Sequence, residues 1–447
     1  MNRRTFLQSG AAAATATLLP GAARKPNIVF LFADDLGYGG TGVYGERDFP
    51  TPNIDSIAAA GVRFTNGYVS CPVCSPTRAG LMTGRYQQRF GHEFNPGPAA
   101  EADKTFGLPL SETTLADRMK ALGYATGMVG KWHLGYQPEL HPTRRGFQDF
   151  FGFLGGAHSY TDALGDTFNP LMRGTEKVDE KEYLTDAFAR EAVSFIEKKK
   201  ANPFFLYLAF NAVHAPLQAL NKYQDRFAGI SNPRRRTHAA MMSAMDDAIG
   251  RVLSSLHNNN LMDDTLIFFV SDNGGPTPIT TSRNNPLRGF KGQVYEGGIR
   301  VPFLMQWNGK LPKRSLYEHP VITLDVLPTM VSAGGGSIDP AWNLDGVDLM
   351  PYLSGKDNQS RPHDVLFWRF GARNAIRKGD MKLLHEEGAP QLYDLSKDIS
   401  ETTDLASARP EQVQALQKEW ESWSSRMAAP RWRTVRNQGG AQKKKRQ

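Results

Sequence analysis

The chain has 447 residues, of which 40% are hydrophobic and 22% are charged, and this composition excludes an intrinsically disordered or fibrous protein. The formal net charge of +8 does not indicate nucleic-acid binding, because seven positive charges lie in the last 17 residues and three more in the first 24. The remaining body is close to neutral.

The first 24 residues resemble an export signal. Arg3 and Arg4 precede Phe6 and Leu7, and a modest Ala/Thr/Leu stretch that ends in small residues follows. Paired arginines in this position are typical of a twin-arginine signal peptide, which predicts passage through the twin-arginine translocase to a periplasmic or extracellular location. The stretch is shorter and less apolar than the roughly 20 residues that span a bilayer, so no transmembrane segment is predicted.

Strands and amphipathic helices alternate through the body of the chain. The run NIVFLFADD (27–35) is continuously apolar and ends in two aspartates, which predicts a buried parallel strand. A helix precedes a strand three more times, at 114–124 and 125–135, at 186–200 and 203–216, and at 238–256 and 265–275. This alternation predicts an α/β fold with a doubly wound, mixed but mostly parallel sheet flanked by helices.

The pattern changes after about residue 355. The short apolar pieces DVLFWRF, NAIRKGDMKLLH and PQLYDLS come before the amphipathic segment PEQVQALQKEWESWSSRM. These predict a small C-terminal antiparallel sheet with one helix packed on it. The predicted organisation is a signal peptide over 1–24, a main α/β domain over 25–355, a small α+β subdomain over 356–430 and a basic flexible tail over 431–447.

Polar side chains lie where the predicted strands end. Asp34 and Asp35 close the first strand, and Asp272 and Asn273 follow the strand that begins at residue 265. Each alone is typical of a turn or a helix cap. Together they are expected to meet at the carboxyl edge of the sheet, where α/β proteins bind ligands. Their oxygen atoms suit Ca²⁺, or alternatively Mg²⁺, better than zinc, and a cation between adjacent carboxylates would offset their repulsion.

Five further side chains are expected around this crevice, namely Arg78, Lys131, Lys291, His133 and His214. Any one of them alone is more often an ordinary surface charge or a satisfied polar residue. As a set they match the recognition of a tetrahedral oxyanion and proton transfer at a leaving oxygen.

Both cysteines of the chain lie in the segment CPVCSPTRAGL, as Cys71 and Cys74. Their spacing alone suggests a thioredoxin-like redox pair, but the segment lacks a thioredoxin-sized βαβ context. A structural zinc site needs more ligands than these two thiols. Residues 75–84 indicate a helix start with Pro76 in its first turn, and free N–H groups there would add to anion binding beside Cys74.

Two motifs carry a family resemblance. CSPTRAGLMTGR (74–85) resembles the Cys-x-Pro-x-Arg signature of the formylglycine-dependent (type I) sulfatases, and GKWHLG (130–135) resembles their second signature. The resemblance runs from PNIVFLFADDLGYGG through SDNGG, LRGFKGQVYEGGIRVP and DVLPTM to GDMKLLHEEGAPQLYDLSKDISETTDL. It therefore covers nearly all of residues 26–405. Met82 stands where leucine is usual, a volume-conserving change.

Similarity to arylsulfatase-like members of this family implies an alkaline-phosphatase-like fold and the hydrolysis of sulfate esters, on a carbohydrate or polysaccharide, with release of inorganic sulfate. A formylglycine-generating enzyme would oxidise Cys74 to formylglycine (3-oxoalanine), whose hydrated aldehyde would be the nucleophile. Cys71 would be a buried, inert thiol. The residues that would hold calcium together with the modified Cys74 are Asp34, Asp35, Asp272 and Asn273.

The same resemblance implies a role for each surrounding donor. Arg78 would hold the nucleophile's oxygen near the metal, and Lys131 and Lys291 would clamp sulfate oxygens. His214 would protonate the leaving alcohol, and His133 would drive the elimination that releases sulfate.

Two other functions stay open from the sequence. A phosphomonoester or phosphonate monoester hydrolase of the same superfamily would use similar residues, and a non-catalytic sulfated-glycan-binding protein would keep the fold without the chemistry. Substrate contacts are predicted in the segment RYQQRFGHEFNPGP (85–98), in particular at His92, with Arg89, Glu93 and Asn95 as neighbours. An ordinary polar surface loop is the alternative interpretation of this segment.

Overall fold

A computed structural model of the chain describes residues 24–97, 103–354 and 360–432. The predicted signal peptide up to residue 23 and the tail from residue 433 onward lie outside these described residues, as does the predicted domain boundary near residue 355. Within the described ranges, no helix has the length and apolar character needed to cross a membrane.

The strands of the described ranges are β1 Asn27–Ala33, β2 Val62–Phe64, β3 Gly67–Tyr68, β4 Ala125–Lys131, β5 Asp149–Phe153, β6 Met172–Arg173, β7 Glu176–Lys177, β8 Phe204–Ala209, β9 Thr265–Ser271, β10 Phe303–Gln306, β11 Ser315–Tyr317, β12 Val321–Ile322, β13 Val365–Phe370, β14 Arg373–Lys378, β15 Met381–His385 and β16 Gln391–Asp394. The helices are α1 Pro52–Ala60, α2 Cys74–Thr83, α3 Leu115–Ala121, α4 Leu184–Lys199, α5 Asn221–Gln224, α6 Pro233–Asn258, α7 Thr277–Thr280, α8 Glu296–Ile299, α9 Val326–Ala333, α10 Met350–Leu353 and α11 Pro410–Ser424. Short 3₁₀ turns connect several of them.

The main sheet has the order β11-β2-β10-β9-β1-β8-β4-β5-β6-β7. Its five central strands, β9, β1, β8, β4 and β5, are parallel, whereas β10 on one side and β6 and β7 on the other pair antiparallel. The predicted mixed, mostly parallel sheet is therefore confirmed. Because the central strands are parallel, their carboxyl ends meet at one edge of the sheet.

Two hydrophobic cores cover the two faces of this sheet. Along β1, Phe30 and Phe32 belong to one core, and Val29 and Leu31 belong to the other. Successive side chains of a strand point to opposite faces, so a strand buried on both faces reads as a continuous apolar run. This explains why the sequence of β1 shows no alternation of polar and apolar residues.

The C-terminal region forms the predicted antiparallel sheet, in the order β13-β14-β15-β16, with α11 packed on it. The segment 374–385 forms the two strands β14 and β15, because the chain turns at Gly379, whose φ of 59° is left-handed. Trp368 and Trp423 belong to the same core as one face of the main sheet, and Trp368 Nε1 donates to the carbonyl of Val69 at 2.7 Å. The small sheet therefore packs directly on the main one.

Candidate active site

Charged and polar side chains meet at the carboxyl edge of the parallel strands. Asp34 follows β1, Lys131 ends β4, and Asp272 and Asn273 follow β9. His214 comes five residues after the end of β8. The sequence predicted this convergence from strand ends alone, and the structure places these residues together.

Cys74 is the first residue of α2, as the sequence indicated for this helix start. Its side chain is fully buried, and its Sγ lies 3.5 Å from Asp34 Oδ1 and 3.1 Å from Lys291 Nζ. The loop that carries Lys291 is held against the cysteine loop, because the N–H of Gly292 donates to the carbonyl of Pro72 at 2.9 Å. Burial raises the pKa of the Cys74 thiol, so this cysteine is held as a neutral thiol.

Buried carboxylates pair with lysine side chains around Cys74, of which Lys131 is fully buried and Lys291 is 17% exposed. Lys131 Nζ lies 2.5 Å from Asp34 Oδ2, and Lys291 Nζ lies 2.6 Å from Asp35 Oδ1. Burial, together with the charge of nearby Asp272, raises the pKa of Asp34. Burial also disfavours the charged form of Asp35, but Lys291 and the neighbouring His214 outweigh it and lower the pKa of Asp35. Opposite charges therefore hold the buried carboxylates of the cluster in place.

Arg78 links the signature helix to β9. Its guanidinium donates to Asp272 Oδ2 from Nη2 at 2.7 Å and from Nε at 3.1 Å, and both side chains are fully buried. Burial opposes ionisation of Asp272, but Arg78 and Lys131 outweigh it, so the pKa of Asp272 is lowered. Arg78 also donates from Nη1 to the carbonyl of Lys131 at 3.1 Å, which ties the ends of β4 and β9 to one helix.

Asn273 carries the observation that bears most directly on a metal. Its Nδ2 donates to Asp35 Oδ1 at 2.7 Å, whereas its Oδ1 is buried without a hydrogen-bond partner in the part of the chain that the structure describes. An orphaned buried acceptor is costly unless something outside the protein satisfies it. Asp34, Asp35, Cys74 and His214 also offer ligand atoms within 4.8 Å of one another. The oxygen atoms of Asp34, Asp35 and Asn273 suit a hard cation such as Ca²⁺.

Two histidines border the site. His133 is buried, and its backbone has a left-handed φ of 60°, a conformation that is rare for non-glycine residues and clusters at functional sites. Burial, with Lys131 and Arg78 nearby, holds the pKa of His133 well below its usual value, so this imidazole is neutral. His214 is partly exposed, with Nε2 3.6 Å from Asp35 Oδ2 and Nδ1 2.6 Å from the carbonyl of Ala215.

A cavity of about 400 Å³ opens above Cys74. Its walls include His133 and His214, and the sequence predicted both. The lining residues for which the sequence had no signal are Tyr136, Gly155, Gly156, Ala157, Asp166, Phe168 and Asn169. Most of these come from loops, so the alternation of helices and strands contained no information about them.

The segment 85–98 divides into lining and supporting residues. Asn95 lines the cavity, and its Oδ1 accepts the backbone N–H of Ser75 at 2.9 Å. Arg89 and Glu93 instead form ion pairs with Asp345 and Arg369. Asn95, Pro96 and Gly97 are therefore the members of this segment that line the cavity.

His92, the predicted substrate contact, is fully buried and is not among the residues that line the cavity. Its Nε2 lies 2.8 Å from Ser75 Oγ, and its ring packs edge-on against Phe106 and Trp432. Burial lowers the pKa of His92 to about 3. The geometry therefore corrects the interpretation of His92, which supports the residue next to Cys74 from behind.

Cys71 is fully buried, and both cysteines are free thiols. Burial also raises the pKa of Cys71 well above its usual value. A redox dithiol requires an accessible thiol with a lowered pKa. The Cys-x-x-Cys spacing therefore does not mark a redox pair in this fold.

The fold and the site together define a class of protein. A buried cysteine lies at the start of a helix, with cationic side chains and carboxylates around it. Such a site belongs to a hydrolase that acts on esters of tetrahedral oxyanions.

Comparisons with known proteins identify the family within this class. The family model described as Sulfatase matches residues 26–336. N-acetylgalactosamine-6-sulfatase of Canis lupus familiaris is 32% identical over 383 residues, which cover 81% of this chain and 72% of that protein. Arylsulfatase A of Homo sapiens is 33% identical over 459 residues, which cover 89% of this chain and 87% of that protein. The chain belongs to the sulfatase family and is a sulfuric ester hydrolase.

A solved structure supports this assignment at the level of the fold. The crystal structure of Ps i-CgsB in complex with k-i-k-neocarrahexaose superposes with a TM-score of 0.88 at 36% sequence identity. The match covers 93% of this chain and 96% of that one. The similarity therefore extends over most of the chain.

Proposed function

We propose that this protein is a formylglycine-dependent, calcium-dependent sulfatase that removes sulfate from a carbohydrate. The observation that carries the proposal is the position of Cys74, which lies buried at the start of α2 between Asp34 and Lys291. An unactivated thiol held neutral at the base of a cavity is poorly suited to act as a nucleophile itself. It is well placed as the precursor of a modified residue.

Formylglycine would supply the nucleophile. Once hydrated, the aldehyde at position 74 offers one hydroxyl for attack on sulfur and a second that permits release of sulfate without a separate attack by water. Lys291 Nζ lies 3.1 Å from Cys74 Sγ, so its positive charge would stabilise an oxyanion that forms at this position. Oxidation of Cys74 would require a formylglycine-generating enzyme as a partner.

Calcium, or alternatively magnesium, would be held by Asp34, Asp35, Asp272 and Asn273 together with residue 74. When bound, the cation would lower the pKa of the nucleophile and neutralise charge on the sulfate. The protein's own contribution is to hold these oxygens in place. Arg78 orients Asp272, and the orphaned Oδ1 of Asn273 gains a partner.

The remaining donors would act on the sulfate and the leaving group. Lys131 and Lys291 carry positive charge to the base of the cavity, where they would bind sulfate oxygens. His214 is partly exposed at the cavity wall and would protonate the leaving alcohol. His133 is held neutral by its surroundings, as a base for the elimination of sulfate requires.

The relatives favour a carbohydrate substrate. N-acetylgalactosamine-6-sulfatase is named for a sulfated amino sugar, and Ps i-CgsB was solved with a neocarrahexaose. The cavity above Cys74 is open to solvent along loops, which suits a sugar ring with further groups attached. We therefore assign the substrate to the sulfated carbohydrates.

Export in a folded state would fit this chemistry. The resemblance of residues 1–24 to a twin-arginine signal suggests that Cys74 is modified in the cytoplasm before the enzyme passes through the twin-arginine translocase. Replacing Arg3 and Arg4 with Lys should then retain active enzyme in the cytoplasm. Unchanged export of that variant would contradict the assignment.

The first experiment is peptide mass spectrometry over residues 71–78 on protein from a host that makes formylglycine. It is combined with sulfate release from 4-nitrocatechol sulfate, N-acetylgalactosamine 6-sulfate and k-i-k-neocarrahexaose. Aldehyde at position 74 with calcium-dependent sulfate release is the expected result. Cys74→Ala should abolish activity, and Cys71→Ala, the matched control, should retain it because Cys71 lies outside the site.

Two outcomes would overturn the proposal. Faster hydrolysis of matched aryl phosphate or phosphonate esters than of the aryl sulfate would favour the related hydrolase of the same superfamily. An unmodified thiol at position 74 in the competent host, without sulfate release, would favour a protein that binds sulfated glycans without catalysis.

A further inference from the structure

One wall of the cavity above Cys74 is an irregular loop that spans residues 155–169. Phe168 of this loop lines the cavity, yet it is 71% exposed. Leu164 of the same loop is 55% exposed and is not among the lining residues. An exposed aromatic ring inside a ligand cavity differs from a scattered apolar residue on an open surface, because a bound ligand would cover it.

The backbone that carries Phe168 is held in place. Asp166 Oδ1 accepts the N–H of Phe168 at 3.2 Å and the N–H of Asn169 at 2.9 Å. Asn169 is buried, and its amide bonds to the N–H of Gly155 and the carbonyl of Ala157, each at 2.8 Å. The ring of Phe168 is thus presented by an anchored turn without being packed into the protein.

The same anchored loop adjoins the catalytic histidine. A Cβ at Gly156 would lie 2.6 Å from His133 Nε2, so the backbone of the loop passes directly over that imidazole. Phe168 is therefore connected to the reaction centre by a short, hydrogen-bonded stretch of chain. A ligand that fills this cavity would therefore contact Phe168 and also reach Cys74, because both residues line it.

The charge of the wall differs from the charge at the base. Lys131 and Lys291 lie at the base near Cys74, whereas the lining residues among those the structure describes include no Lys or Arg and one carboxylate, Asp166. Burial and the charge of Asp166 raise the pKa of Tyr136 on the same wall to about 12, so Tyr136 stays neutral. The wall therefore suits an uncharged part of the ligand.

We propose that Phe168 stacks against the apolar face of a pyranose ring of the substrate, and that Asp166 makes this position selective for a ring without a second anionic group. The inference rests on the proposed function and specifies its substrate class. Aliphatic C–H groups of a sugar carry partial positive charge and are attracted to the electron-rich face of an aromatic ring. A second sulfate close to Asp166 would be repelled.

The test of stacking is steady-state kinetics on N-acetylgalactosamine 6-sulfate and k-i-k-neocarrahexaose. Phe168→Ala should raise KM about tenfold, with kcat changed by less than about twofold, and Phe168→Trp should restore KM to within about threefold of the wild type. Leu164→Ala, the control from the same loop, should leave both constants unchanged. An unchanged KM in Phe168→Ala, or no rescue by Trp, overturns the proposal.

The test of charge selectivity is Asp166→Asn, which keeps the Oδ1 acceptor for the turn and removes the charge. The ratio of kcat/KM for N-acetylgalactosamine 4,6-disulfate to that for the 6-sulfate should rise about threefold, less so at high salt. An unchanged ratio contradicts the role of Asp166. Failure of the wild type on every sugar sulfate, with activity on 4-nitrocatechol sulfate, would instead defeat the carbohydrate assignment and this inference with it.

Discussion

Asn273 donates from Nδ2 to Asp35 at 2.7 Å, while the Oδ1 of the same amide is buried without a hydrogen-bond partner among the described residues. The nitrogen end of the side chain is thus fixed against Asp35, and the oxygen end is left unsatisfied. An amide oxygen is a ligand of the kind that Ca²⁺ prefers, so a cation bound beside Asn273 would satisfy it.

Calcium should therefore stabilise the folded protein, because a ligand that binds only the native state raises Tm. Asn273→Ala should weaken calcium affinity at least about tenfold, since it removes one oxygen ligand. The measurement is Tm against calcium concentration after treatment with EGTA. Asn221→Ala, which changes an exposed residue on α5, is the control. Equal calcium-dependent shifts in Asn273→Ala and the wild type would rule out Asn273 as a ligand.

Lys131 should stabilise the site most when calcium is absent. Its Nζ lies 2.5 Å from Asp34 Oδ2, and both side chains are fully buried. Lys131→Met leaves that carboxylate without its partner, which costs about 3–5 kcal/mol of unfolding free energy for a buried pair. A bound cation would supply part of the missing charge.

The measurement for Lys131→Met is urea unfolding with EGTA and with excess calcium. We expect the variant to lose more unfolding free energy in EGTA than in excess calcium, and to lose sulfate release in both conditions. Lys222→Met is the matched control, because Lys222 pairs with Asp186 at 2.7 Å but is 56% exposed, and its loss should cost less than about 1 kcal/mol. The same loss with and without calcium would show that Asp34 is not near the cation.

The sequence predicted the centre of the fold well because the central strands are apolar on both faces and end in polar residues. β1 and β9 read as continuous apolar runs, and their ends at Asp34 and Asp272 placed the charged cluster correctly. The shortest strands could not be predicted in the same way. β3, β6 and β7 have two residues each, which is too short for any periodic pattern.

Sequence patterns also did not identify most of the residues that line the cavity. Gly155, Gly156 and Ala157 contribute backbone to the wall, and Asn169 acts through hydrogen bonds to that backbone. Tertiary packing alone brings these residues to Cys74. His92 shows the converse problem. A polar residue after the signature helix was predicted to contact substrate, but the sequence does not distinguish a side chain that faces the cavity from one that is buried behind it, as His92 is.

The C-terminal end of the described chain should position the catalytic helix. Trp432 is buried, packs against His92 with ring centroids 5.4 Å apart, and donates to Thr105 Oγ1 at 3.0 Å. Ser75 Oγ donates its hydrogen to the carbonyl of His133 at 2.6 Å, so it accepts a hydrogen from His92 Nε2. Trp432 therefore contacts His92, His92 is hydrogen-bonded to Ser75, and Ser75 is hydrogen-bonded to the backbone carbonyl of His133.

Truncations on either side of Trp432 test this link. Deletion of 431–447 should lower the free energy of unfolding by about 1–3 kcal/mol more than deletion of 433–447, and should lower kcat for 4-nitrocatechol sulfate several-fold. The expected loss of unfolding free energy is smaller than for removal of a Trp from the centre of the core, because a terminal segment can detach while the rest of the protein stays folded. Trp432→Phe should recover most of kcat. Equal kcat in the two truncations would limit Trp432 to a purely local packing role.

His363 should make stability depend on pH. Its Nε2 lies 2.7 Å from Asp325 Oδ1, and Asp325 accepts the N–H groups of Ile322 and Val347 at 2.8 Å and 2.9 Å. Burial alone would lower the pKa of His363, but the Asp325 carboxylate outweighs it and raises that pKa. The native state therefore holds a proton on His363 that the unfolded chain releases near its ordinary pKa of about 6.5.

This contribution is fully present below the unfolded pKa of about 6.5 and is lost as pH rises through the raised folded pKa. His363→Gln should therefore cost more stability at pH 5.5 than at pH 9. The measurement is urea unfolding at both pH values, with His257→Gln, an exposed histidine of α6, as the control. A cost for His363→Gln that is the same at both pH values would mean that the histidine is bound as a neutral hydrogen-bond donor, without an ion pair to Asp325.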